Sequence, residues 1–526
     1  MANTVVVAKV NDLHDGEMKQ VLVDQTPVLL ARVGDEFYAS GANCTHYGAP
    51  LARGALTGTR VVCPWHNACF DVTTGEQQQP PGLDDLPQFQ VHVNNGNVAV
   101  TVPDEAPRQQ PPPMASYDPD ADPRVFVVIG AGAAGINAVE TLRKDGFQGR
   151  VIMVTADDEL PYDRTKASKQ YLSGNASENS MLLRSPDFYK DHDIEVWTGR
   201  WVTRVEPRTH QIEFADGMTM GYDALLLATG GKAKQLDAPG IDLENIFTLR
   251  SYEDADAIID AAEHASTAVV IGSSFIGMEA AAALVQHDVD VTVISPESAP
   301  FEMILGRDLG QFFQQVHDDH GVKFKLGTKA TQFEGAGNVE TVILDTDERI
   351  AADMVVVGVG VQPATDILRD LQLDERDRSV PTDQYLQVTR DLYAAGDIAR
   401  FPDWRTGEAV RIEHWRLAAQ HGRIAAHNMM GKAVRFAGVP FFWTTQFDVR
   451  LRYVGHAEHW DEIFIDGDLS SKEFIVFYIT DNQLMAAAGS NRDMDMAIIS
   501  ELMRLEKLPT GDRLKSGINW HHELRG

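Results

Sequence analysis

The fold is decided by the stretch Val125-Phe-Val-Val-Ile-Gly130-Ala-Gly132-Ala-Ala-Gly135, which leads from an apolar strand into the segment INAVETLRKDG. Glycines at this spacing permit a tight turn and let backbone N–H groups approach a pyrophosphate at the N-terminus of a helix. The next apolar run, RVIMVTA, is followed by Asp157, whose carboxylate can accept a hydrogen bond from a ribose hydroxyl. Strand, turn, helix, strand and acid in this order predict a dinucleotide-binding domain.

A second turn of the same design follows later in the chain, as Val269-Val-Ile-Gly272-Ser-Ser274-Phe-Ile-Gly277-Met-Glu279. Ser274 stands where a second glycine is usual, so the backbone there has less room to approach a phosphate. We interpret this stretch as a second dinucleotide-binding turn and the pair as an internal duplication. A purely structural strand-to-helix turn is the alternative.

The strand after the second turn predicts which nicotinamide cofactor binds. That strand, VDVTVIS, leads to Glu297, and the sequence contains no Arg or Lys between Ser295 and Arg307. Because a 2′-phosphate requires a cation, NADH is favoured over NADPH. Glu297 is the candidate acceptor for the ribose hydroxyl, although it lies two residues beyond the usual place.

Composition bounds the class of protein. The chain has 526 residues, three cysteines and a formal net charge of −31, from 46 Lys and Arg against 77 Asp and Glu. Such a field repels nucleic acid and anionic lipid. Neither an apolar stretch long enough to span a membrane nor a secretory leader pattern is evident, so we expect a cytoplasmic protein without a disulfide framework.

Changes in sequence texture divide the chain into modules. Short strand-like runs with frequent turns fill residues 1–103, and alternating strands and helices begin at Arg124. The predicted modules are an all-β domain, a Pro-rich linker that acts as a semi-rigid tether, a first dinucleotide domain in two parts, a second dinucleotide domain inserted between those parts, and a small C-terminal domain. Their predicted bounds are 1–103, 104–123, 124–241 with 363–435, 242–362 and 436–526.

Two short motifs in the all-β module have metal-ligand spacing. Cys44-Thr-His46 and Cys63-Pro-Trp-His66 supply two thiolates and two imidazoles on two loops. This donor set suits a zinc site, and it also suits a [2Fe–2S] cluster in which two histidines replace two cysteines on one iron. The neighbouring dinucleotide turns, which imply redox chemistry, favour iron.

The motif C-x-H…C-x-x-H, followed by Phe70-Asp71 and Thr74-Gly75, resembles the Rieske family over almost all of the first hundred residues. The resemblance implies that Cys44 and Cys63 bind one iron and that His46 and His66 bind the other. The disulfide-forming cysteines of the bc-type Rieske proteins are missing from the two motifs. The site therefore resembles the ferredoxin or oxygenase type, which implies a lower potential.

Further segments resemble the pyridine-nucleotide-dependent flavoproteins in order and spacing. They are Pro161-Tyr-Asp-Arg164 with Lys169, Tyr222 to Thr229-Gly230, Leu392-Tyr-Ala-Ala-Gly396-Asp397, and His414-Trp415 with Gln420 and Gly422. The glutathione-reductase subtype is excluded, because no C-x₄-C pair lies between the first turn and Lys169. The closest resemblance is to oxygenase-type ferredoxin reductases and to apoptosis-inducing-factor-like proteins that carry a Rieske domain.

This resemblance implies a role for each candidate residue. The first turn with Asp157 would bind FAD and the second would bind NAD(P)H. Asp397 would bond the ribityl chain, and Arg164, Lys169 and Trp415 would lie near the flavin ring. Glu279 would lie close to the nicotinamide and pair with Lys169. The candidate catalytic residues are Lys169, Glu279 and Trp415, and the candidate cofactor-binding residues are Gly130, Gly132, Gly135, Asp157, Arg164, Lys169, Thr229, Gly230, Gly272, Ser274, Gly277, Glu279, Glu297, Gly396, Asp397 and Trp415.

The predicted fold class is multidomain: an all-β Rieske domain, an α/β flavoprotein of glutathione-reductase-like architecture with two dinucleotide-binding domains, and a small α+β C-terminal domain. The predicted function is an NADH-dependent oxidoreductase that passes electrons through FAD to its own Rieske [2Fe–2S] cluster and on to an oxygenase, cytochrome or small molecule. The alternatives are a redox sensor of the apoptosis-inducing-factor-like type, or an NADH-dependent quinone or oxygen reductase. The chain could form a homodimer.

Overall fold

The computed structural model describes residues 2–525, which form two compact units. The first unit comprises the described part of Met1–Met114, Ala437–Trp443 and Leu451–Gly526, and the second comprises Ala115–Phe436 and Thr444–Arg450. The β-rich N-terminal and C-terminal segments therefore belong to one unit, and the α/β segment forms the other.

The N-terminal segment of the first unit contains a six-stranded sheet. Alternation in Asn97–Pro103 shows why it forms: Val98, Val100 and Val102 are buried, and their neighbours are partly or fully exposed. Each strand of the sheet pairs antiparallel to its neighbours. In spatial order the strands are Ala2–Lys9, Asn97–Pro103, Gln88–Asn94, Glu36–Gly41, Thr26–Val33 and Met18–Val23.

A smaller sheet in the same segment positions the second candidate ligand motif. Cys63 follows the strand Arg60–Val62, and the strand Cys69–Asp71 pairs antiparallel with it. The 63–69 segment is therefore the loop of a hairpin. The four strands in order are Ala55–Thr57, Arg60–Val62, Cys69–Asp71 and Gln77–Gln79.

The C-terminal segment is a five-stranded sheet with helices. Helix Asp493–Arg504 buries an unbroken run from Met496 to Met503. The strands in order are Phe441–Gln446, Val449–Gly455, Gln483–Ser490, Glu473–Thr480 and Glu462–Asp468, and the remaining helices are Gly511–Lys515 and Trp520–Arg525. Residues Thr444–Arg450, which comprise the end of the first strand, the turn after it and the start of the second strand, belong to the second unit.

The second unit contains two sheets built on parallel strands, as the two apolar-strand repeats predict. Their central strands are buried and read as continuous apolar runs, which is typical of parallel sheets covered on both faces. The first sheet has the order Ile194–Trp197, Arg150–Val154, Val125–Ile129, Ala224–Leu227, Leu392–Ala394 and Gln387–Thr389, and only the last strand is antiparallel among the strands described here. The second has the order Ile246–Thr248, Met354–Val357, Thr267–Ile271, Asp290–Ser295 and Lys323–Leu326.

Two helices cross closely behind the first sheet. Helix Ala133–Lys144 packs against helix Trp415–Met429, and a Cβ at Gly422 would lie 2.0 Å from the Ala134 carbonyl oxygen. Only glycine fits at that crossing. This contact holds the returning part of the chain against the helix that follows the first glycine turn.

The second unit contains further helical segments and small sheets. The helical segments are Arg164–Lys166, Ala167–Tyr171 (a π-turn), Glu178–Ser180, Pro186–Asp191, Tyr252–Ala262, Phe275–Val285, Glu302–Leu305, Arg307–Asp318 and Gly396–Ile398. The small sheets consist of Val202–Glu206, Gln211–Phe214 and Thr219–Gly221; Ala330–Glu334, Thr341–Leu344 and Arg349–Ala351; Gly231–Ala233 and Val361–Pro363; and Val380–Pro381, Ala399–Pro402 and Ala409–Val410. The first unit also has the one-turn helices Val10–Asp12 and Leu51–Arg53.

The Pro-rich segment is attached to both units by backbone hydrogen bonds. In the first unit, Gln110 and Asp85 exchange two of them, at 2.9 and 3.0 Å. In the second unit, Ala115 N–H donates to the Arg143 carbonyl and Asp118 N–H donates to the Gln148 carbonyl. Within residues 2–525, none of the helices is long and apolar enough to cross a membrane.

One histidine of the second unit is buried among aromatic rings. His421 in helix Trp415–Met429 is fully buried, accepts from the Gly396 amide at 3.3 Å, and lies edge-on to the rings of Phe401 and Phe436. Its Nε2 atom has no hydrogen-bond partner among the described residues. Burial lowers the pKa of His421 to about 3.

We predict that His421→Asn flattens the acid dependence of stability. Below the ordinary pKa of 6.5, the unfolded chain protonates His421 while the folded chain does not, so the free energy of unfolding falls by about 1.4 kcal/mol per pH unit. The asparagine keeps an acceptor near Gly396 but does not titrate. Denaturation midpoints of both proteins between about pH 6.5 and 4.5 test this, and equal slopes would contradict it.

Candidate functional site

The two candidate metal-ligand motifs form loops with the same backbone geometry. Cys44 N–H donates to the Ala49 carbonyl and Gly48 N–H donates to the Cys44 carbonyl. In the other loop, Cys63 N–H donates to the Ala68 carbonyl and Asn67 N–H donates to the Cys63 carbonyl. Gly48 and Asn67 occupy equivalent places and both have positive φ, 75° and 60°, where glycine and asparagine are tolerated best.

These loops bring the four predicted ligands together in two pairs. The Cys44 and Cys63 thiols are buried and hydrogen-bonded to each other, and the Nδ1 atoms of His46 and His66 lie 3.0 Å apart. The hydrogen bond from the Cys44 thiol to the Cys63 sulfur and the burial of the thiol both raise the pKa of Cys44. Backbone N–H groups of residues 46 and 47 point at one sulfur, and those of residues 65 and 66 point at the other.

A thiol pair beside an imidazole pair fits a [2Fe–2S] cluster. Each iron of such a cluster takes two protein ligands and shares the bridging sulfides. Backbone N–H groups aimed at the sulfurs would stabilise them as thiolates. Within residues 2–525, no three His, Cys, Asp or Glu side chains converge on one metal position.

Aromatic rings surround the histidine pair. Tyr47 stacks on His46 with ring centroids 3.8 Å apart, and Trp443 lies 4.3 Å from the His66 ring and 6.2 Å from the His46 ring. Trp443 belongs to the C-terminal segment of the same unit. Local sequence motifs give no sign of this contact, since Trp443 lies far along the chain from the two ligand motifs.

The first glycine turn has the close contacts that its pattern predicts. Gly130 has φ 111°, and a Cβ there would lie 2.1 Å from the Ala228 carbonyl oxygen. A Cβ at Gly135 would lie 1.9 Å from the Gly130 carbonyl oxygen, so the strand and helix meet too closely for any side chain. A Cβ at Gly132 would meet none of the described atoms within 4 Å, which leaves the open backbone surface that a pyrophosphate requires.

The second turn repeats this arrangement. Gly272 has φ 104°, and a Cβ there would lie 2.4 Å from the Gly358 carbonyl oxygen, while one at Gly277 would lie 2.2 Å from the Gly272 carbonyl oxygen. Ser274 occupies the place of Gly132 and is exposed. Its hydroxyl therefore stands at the helix N-terminus, where it could donate to a phosphate.

Acidic candidates for ribose and ribityl contacts pair with arginines. Asp157 accepts from Arg164, and Asp397 accepts from Arg250. Glu413 lies close to the second pair, and burial together with the Asp397 charge raises its pKa. Sequence reasoning missed Arg250, because it lies far from the recognised motifs in the chain.

The remaining candidates lie around the same first sheet and the two turns. Thr229 donates to the Ala364 carbonyl at 2.7 Å, and Gly230 has φ 68°. Gly396 has φ 74° at the start of a helical turn, and Trp415 begins its helix and packs against the core. Glu297 accepts from the Ser295 hydroxyl at the end of the second parallel sheet.

Lys169 and Glu279 form a buried ion pair. Their Nζ and Oε2 atoms are 2.8 Å apart, with 14 % and 3 % of the side chains exposed. The Ser168 hydroxyl donates to the same Glu279 oxygen at 2.5 Å, and the Thr444 hydroxyl donates to its other oxygen at 2.7 Å. Ser168 and Lys169 lie in the π-turn Ala167–Tyr171, an irregular element often found at functional sites.

A polar chain continues from Glu279 into the protein. Thr444 accepts a hydrogen bond from the Gln446 side-chain amide at 2.9 Å. The Gln446 side chain also forms a hydrogen bond with the fully buried His317. Burial lowers the pKa of His317, which keeps its ring neutral. No local sequence motif includes His317, so the sequence alone indicates no role for it.

The comparisons with known proteins agree with this geometry. Residues 124–422 match the family described as pyridine nucleotide-disulphide oxidoreductase, residues 3–90 match the Rieske [2Fe-2S] domain, and residues 441–516 match the reductase C-terminal domain. The chain belongs to the pyridine nucleotide-disulphide oxidoreductases. It is a member that carries a Rieske domain and a reductase C-terminal domain.

The curated relatives match most of the chain. It is 37 % identical over 511 residues to apoptosis-inducing factor 3 of Homo sapiens, covering 94 % of this chain and 83 % of that protein. It is 30 % identical to putidaredoxin reductase of Pseudomonas putida, covering 73 % of this chain and 94 % of that protein. The crystal structure of a covalent putidaredoxin reductase–putidaredoxin complex superposes with a TM-score of 0.72 at 28 % identity, covering 76 % of this chain and 98 % of that one.

These findings confirm the predicted fold class, enzyme class and cofactors. The protein is a ferredoxin reductase-type flavoprotein oxidoreductase that uses FAD, NAD(P)H and a [2Fe–2S] cluster. The four predicted ligands in two loops fit the cluster, and the two glycine turns fit the two dinucleotides.

We predict that valine at the two equivalent glycines separates the two dinucleotide sites. Gly135→Val and Gly277→Val each place side-chain atoms against a carbonyl oxygen, and such overpacking costs about 1–3 kcal/mol. If the first turn binds FAD and the second NADH, Gly135→Val should purify with little flavin. Gly277→Val should keep its flavin and bind NADH roughly tenfold to a hundredfold more weakly.

Flavin absorbance, iron content and the NADH dependence of flavin reduction measure these effects. Each variant is the control for the other, and both should retain iron. Loss of flavin from Gly277→Val but not from Gly135→Val would reverse the assignment.

Proposed function

We propose that this protein oxidises NADH and passes the electrons through FAD to its own Rieske cluster, and from there to a one-electron acceptor. In the overall reaction, NADH becomes NAD⁺ and a proton, and two equivalents of the acceptor each gain one electron. The first glycine turn would hold FAD and the two Cys/His loops would hold the cluster; these groups would supply hydride acceptance with single-electron release and one-electron transfer, respectively.

One observation carries the proposal. The Rieske ligand loops and the reductase C-terminal domain form a single compact unit, in which the Trp443 ring lies 4.3 Å from His66. A Rieske domain that served only as an independent electron store would need no such packing against a reductase domain. The contact supports the chain's own cluster as the first group to accept electrons from the flavin.

The Lys169–Glu279 pair supports the reductase half of the proposal. Three hydrogen-bonding partners, Ser168, Lys169 and Thr444, hold the Glu279 carboxylate in one orientation. Glu279 lies two residues after Gly277 in the helix of the second turn, and Lys169 reaches it from the π-turn. A lysine fixed in this way can stabilise negative charge on a bound ring and orient it.

The chemistry of the acceptor follows from its relatives and from charge. The similar proteins include putidaredoxin reductase, solved with putidaredoxin, and the ferredoxin–NAD(+) reductase component of a dioxygenase. A small redox protein or an oxygenase component is therefore the proposed acceptor. The net charge of −31 favours a partner with a basic docking face.

We predict a preference for NADH that Glu297 controls. The stretch from Ser295 to Arg307 offers no cation to a 2′-phosphate, and the Glu297 carboxylate would repel one. Glu297→Arg should therefore lower the ratio of kcat/KM for NADH to that for NADPH by about tenfold or more. Glu297→Gln is the matched control, since it removes the charge without adding a cation, and an unchanged ratio in Glu297→Arg would contradict the prediction.

We predict that His66→Ala abolishes cluster reduction and spares flavin reduction by NADH. In anaerobic titration the wild-type chain should take up about three electrons, two on FAD and one on the cluster. His66→Ala should lose the cluster spectrum, take up about two electrons and fail to reduce the acceptor. Absorbance and electron paramagnetic resonance follow both centres.

The outcomes separate the alternatives. Loss of flavin reduction in His66→Ala would contradict the modular mechanism. A wild-type cluster that NADH does not reduce would contradict the proposed electron path and favour a redox sensor. Reduction of a quinone or oxygen at the wild-type rate by His66→Ala would favour a small-molecule reductase.

A further inference from the structure

A set of polar contacts joins the Rieske domain to the C-terminal helix Asp493–Arg504 within the first unit. We call it the docking contact and define it by Arg60, Asn67, Ser500 and Glu501. It lies beside the second ligand loop, Cys63–Cys69, which carries two of the four cluster ligands. The sequence motifs give no sign of it, because its two sides are more than 430 residues apart.

Arg60 is the centre of the docking contact. Its Nε donates to Glu501 at 3.1 Å, one Nη donates to the Cys69 sulfur at 2.8 Å, and the other donates to Gln78 at 3.2 Å. One guanidinium therefore contacts the end of the ligand loop, a neighbouring strand and the C-terminal helix. Only 2 % of the Glu501 side chain is exposed, so its charge depends on Arg60 and on Arg504, which also binds it.

Asn67 makes the second contact from inside the ligand loop. Its Nδ2 donates to the Ser500 hydroxyl at 2.6 Å, and both residues are buried. Asn67 is the residue with φ 60° that closes the loop through the Cys63 carbonyl. The residue that shapes the loop thus also attaches it to the helix.

A third contact reaches the same loop from the C-terminal sheet. Arg452 donates to the Pro64 carbonyl at 3.2 Å and pairs with Asp493 at 2.8 Å. The C-terminal domain thus contacts the second loop along its whole length. It binds Pro64 and Asn67 directly, and it binds Cys69 through Arg60, which Glu501 holds. Buried polar groups are costly unless their partners are in place, so these contacts specify one orientation of the loop.

Resting on the proposed function, we propose that the docking contact holds the second ligand loop against the C-terminal domain in one orientation, so that Arg60 and Asn67 are positioning residues for reduction of the cluster. With the docking contact, the second ligand loop keeps one orientation on the C-terminal domain of the same unit, and displacing that loop slows reduction of the cluster. The side chains of Arg60 and Asn67 are not among the predicted iron ligands.

The test variant is Arg60→Gln, with Arg504→Gln as the matched control. Each substitution removes one of the two arginines that bind Glu501 and leaves the other in place. Only Arg60 also binds the ligand loop, through Cys69, so only its loss breaks the connection between the Rieske domain and the C-terminal helix. In anaerobic stopped-flow experiments with NADH, flavin reduction should be unchanged in both. Reduction of the cluster should be about tenfold to a hundredfold slower in Arg60→Gln, because displacing a reacting group by about 1 Å lowers a rate by roughly this factor. The rate of cluster reduction should be unchanged in Arg504→Gln.

Two further variants guard against a misfolded Rieske domain. Arg60→Lys keeps the charge and should retain most of the rate. Ser500→Ala removes the acceptor of Asn67 from the C-terminal side and leaves the Rieske sequence intact, so it should slow cluster reduction even if Arg60→Gln loses iron. Iron content and the electron paramagnetic resonance spectrum report whether each cluster is intact.

Hydrogen exchange supplies a readout that does not depend on turnover. Amides of Cys63 and of residues 65–69 should exchange faster in Arg60→Gln and Ser500→Ala, and at the wild-type rate in Arg504→Gln. Unchanged exchange and unchanged cluster reduction in both test variants would overturn the inference, as would an equal loss in Arg504→Gln. If NADH does not reduce the wild-type cluster, the proposed function fails, while the exchange rates still decide whether the docking contact holds the loop.

Discussion

A buried carboxylate organises the second unit. Glu279 is almost completely buried, and an isolated charge in that place would cost several kcal/mol. Lys169 supplies the opposite charge. Ser168 and Thr444 each donate a hydrogen bond to one of the two Glu279 carboxylate oxygens. Three separate parts of the chain must therefore meet at one point: the π-turn, the helix of the second glycine turn, and the residues Thr444–Arg450.

The first unit follows a similar rule around a different centre. Two loops of equal backbone geometry present a thiol pair and an imidazole pair, and the polar groups of the second loop are satisfied partly by the C-terminal domain. Arg60 and Asn67 belong to the Rieske domain, but their partners Glu501 and Ser500 lie on the last long helix. Polar side chains of the Rieske domain are thus paired with groups from the far end of the chain.

Most of the architecture was predictable because its signals are local. Continuous apolar strands, glycines at fixed offsets and a following acid indicate a parallel sheet with a dinucleotide turn, and the structure has this geometry at Gly130 and Gly272. The spacing of Cys44, His46, Cys63 and His66 likewise follows from one loop type used twice. Family comparison confirms the fold class and the cofactors that these motifs predicted.

By itself the sequence determined the class of fold, the cofactors and the candidate ligands, since each depends on residues that are neighbours in the chain. Only the tertiary structure decided which distant side chains bind one another: Arg250 binds Asp397, Thr444 binds Glu279, and Glu501 binds Arg60. Those pairs join residues separated by more than 140 positions, and no periodicity or spacing encodes them. A charge that is buried away from water requires an oppositely charged or hydrogen-bonding partner. Which residue becomes that partner depends on which side chains the packing of the folded chain brings next to it.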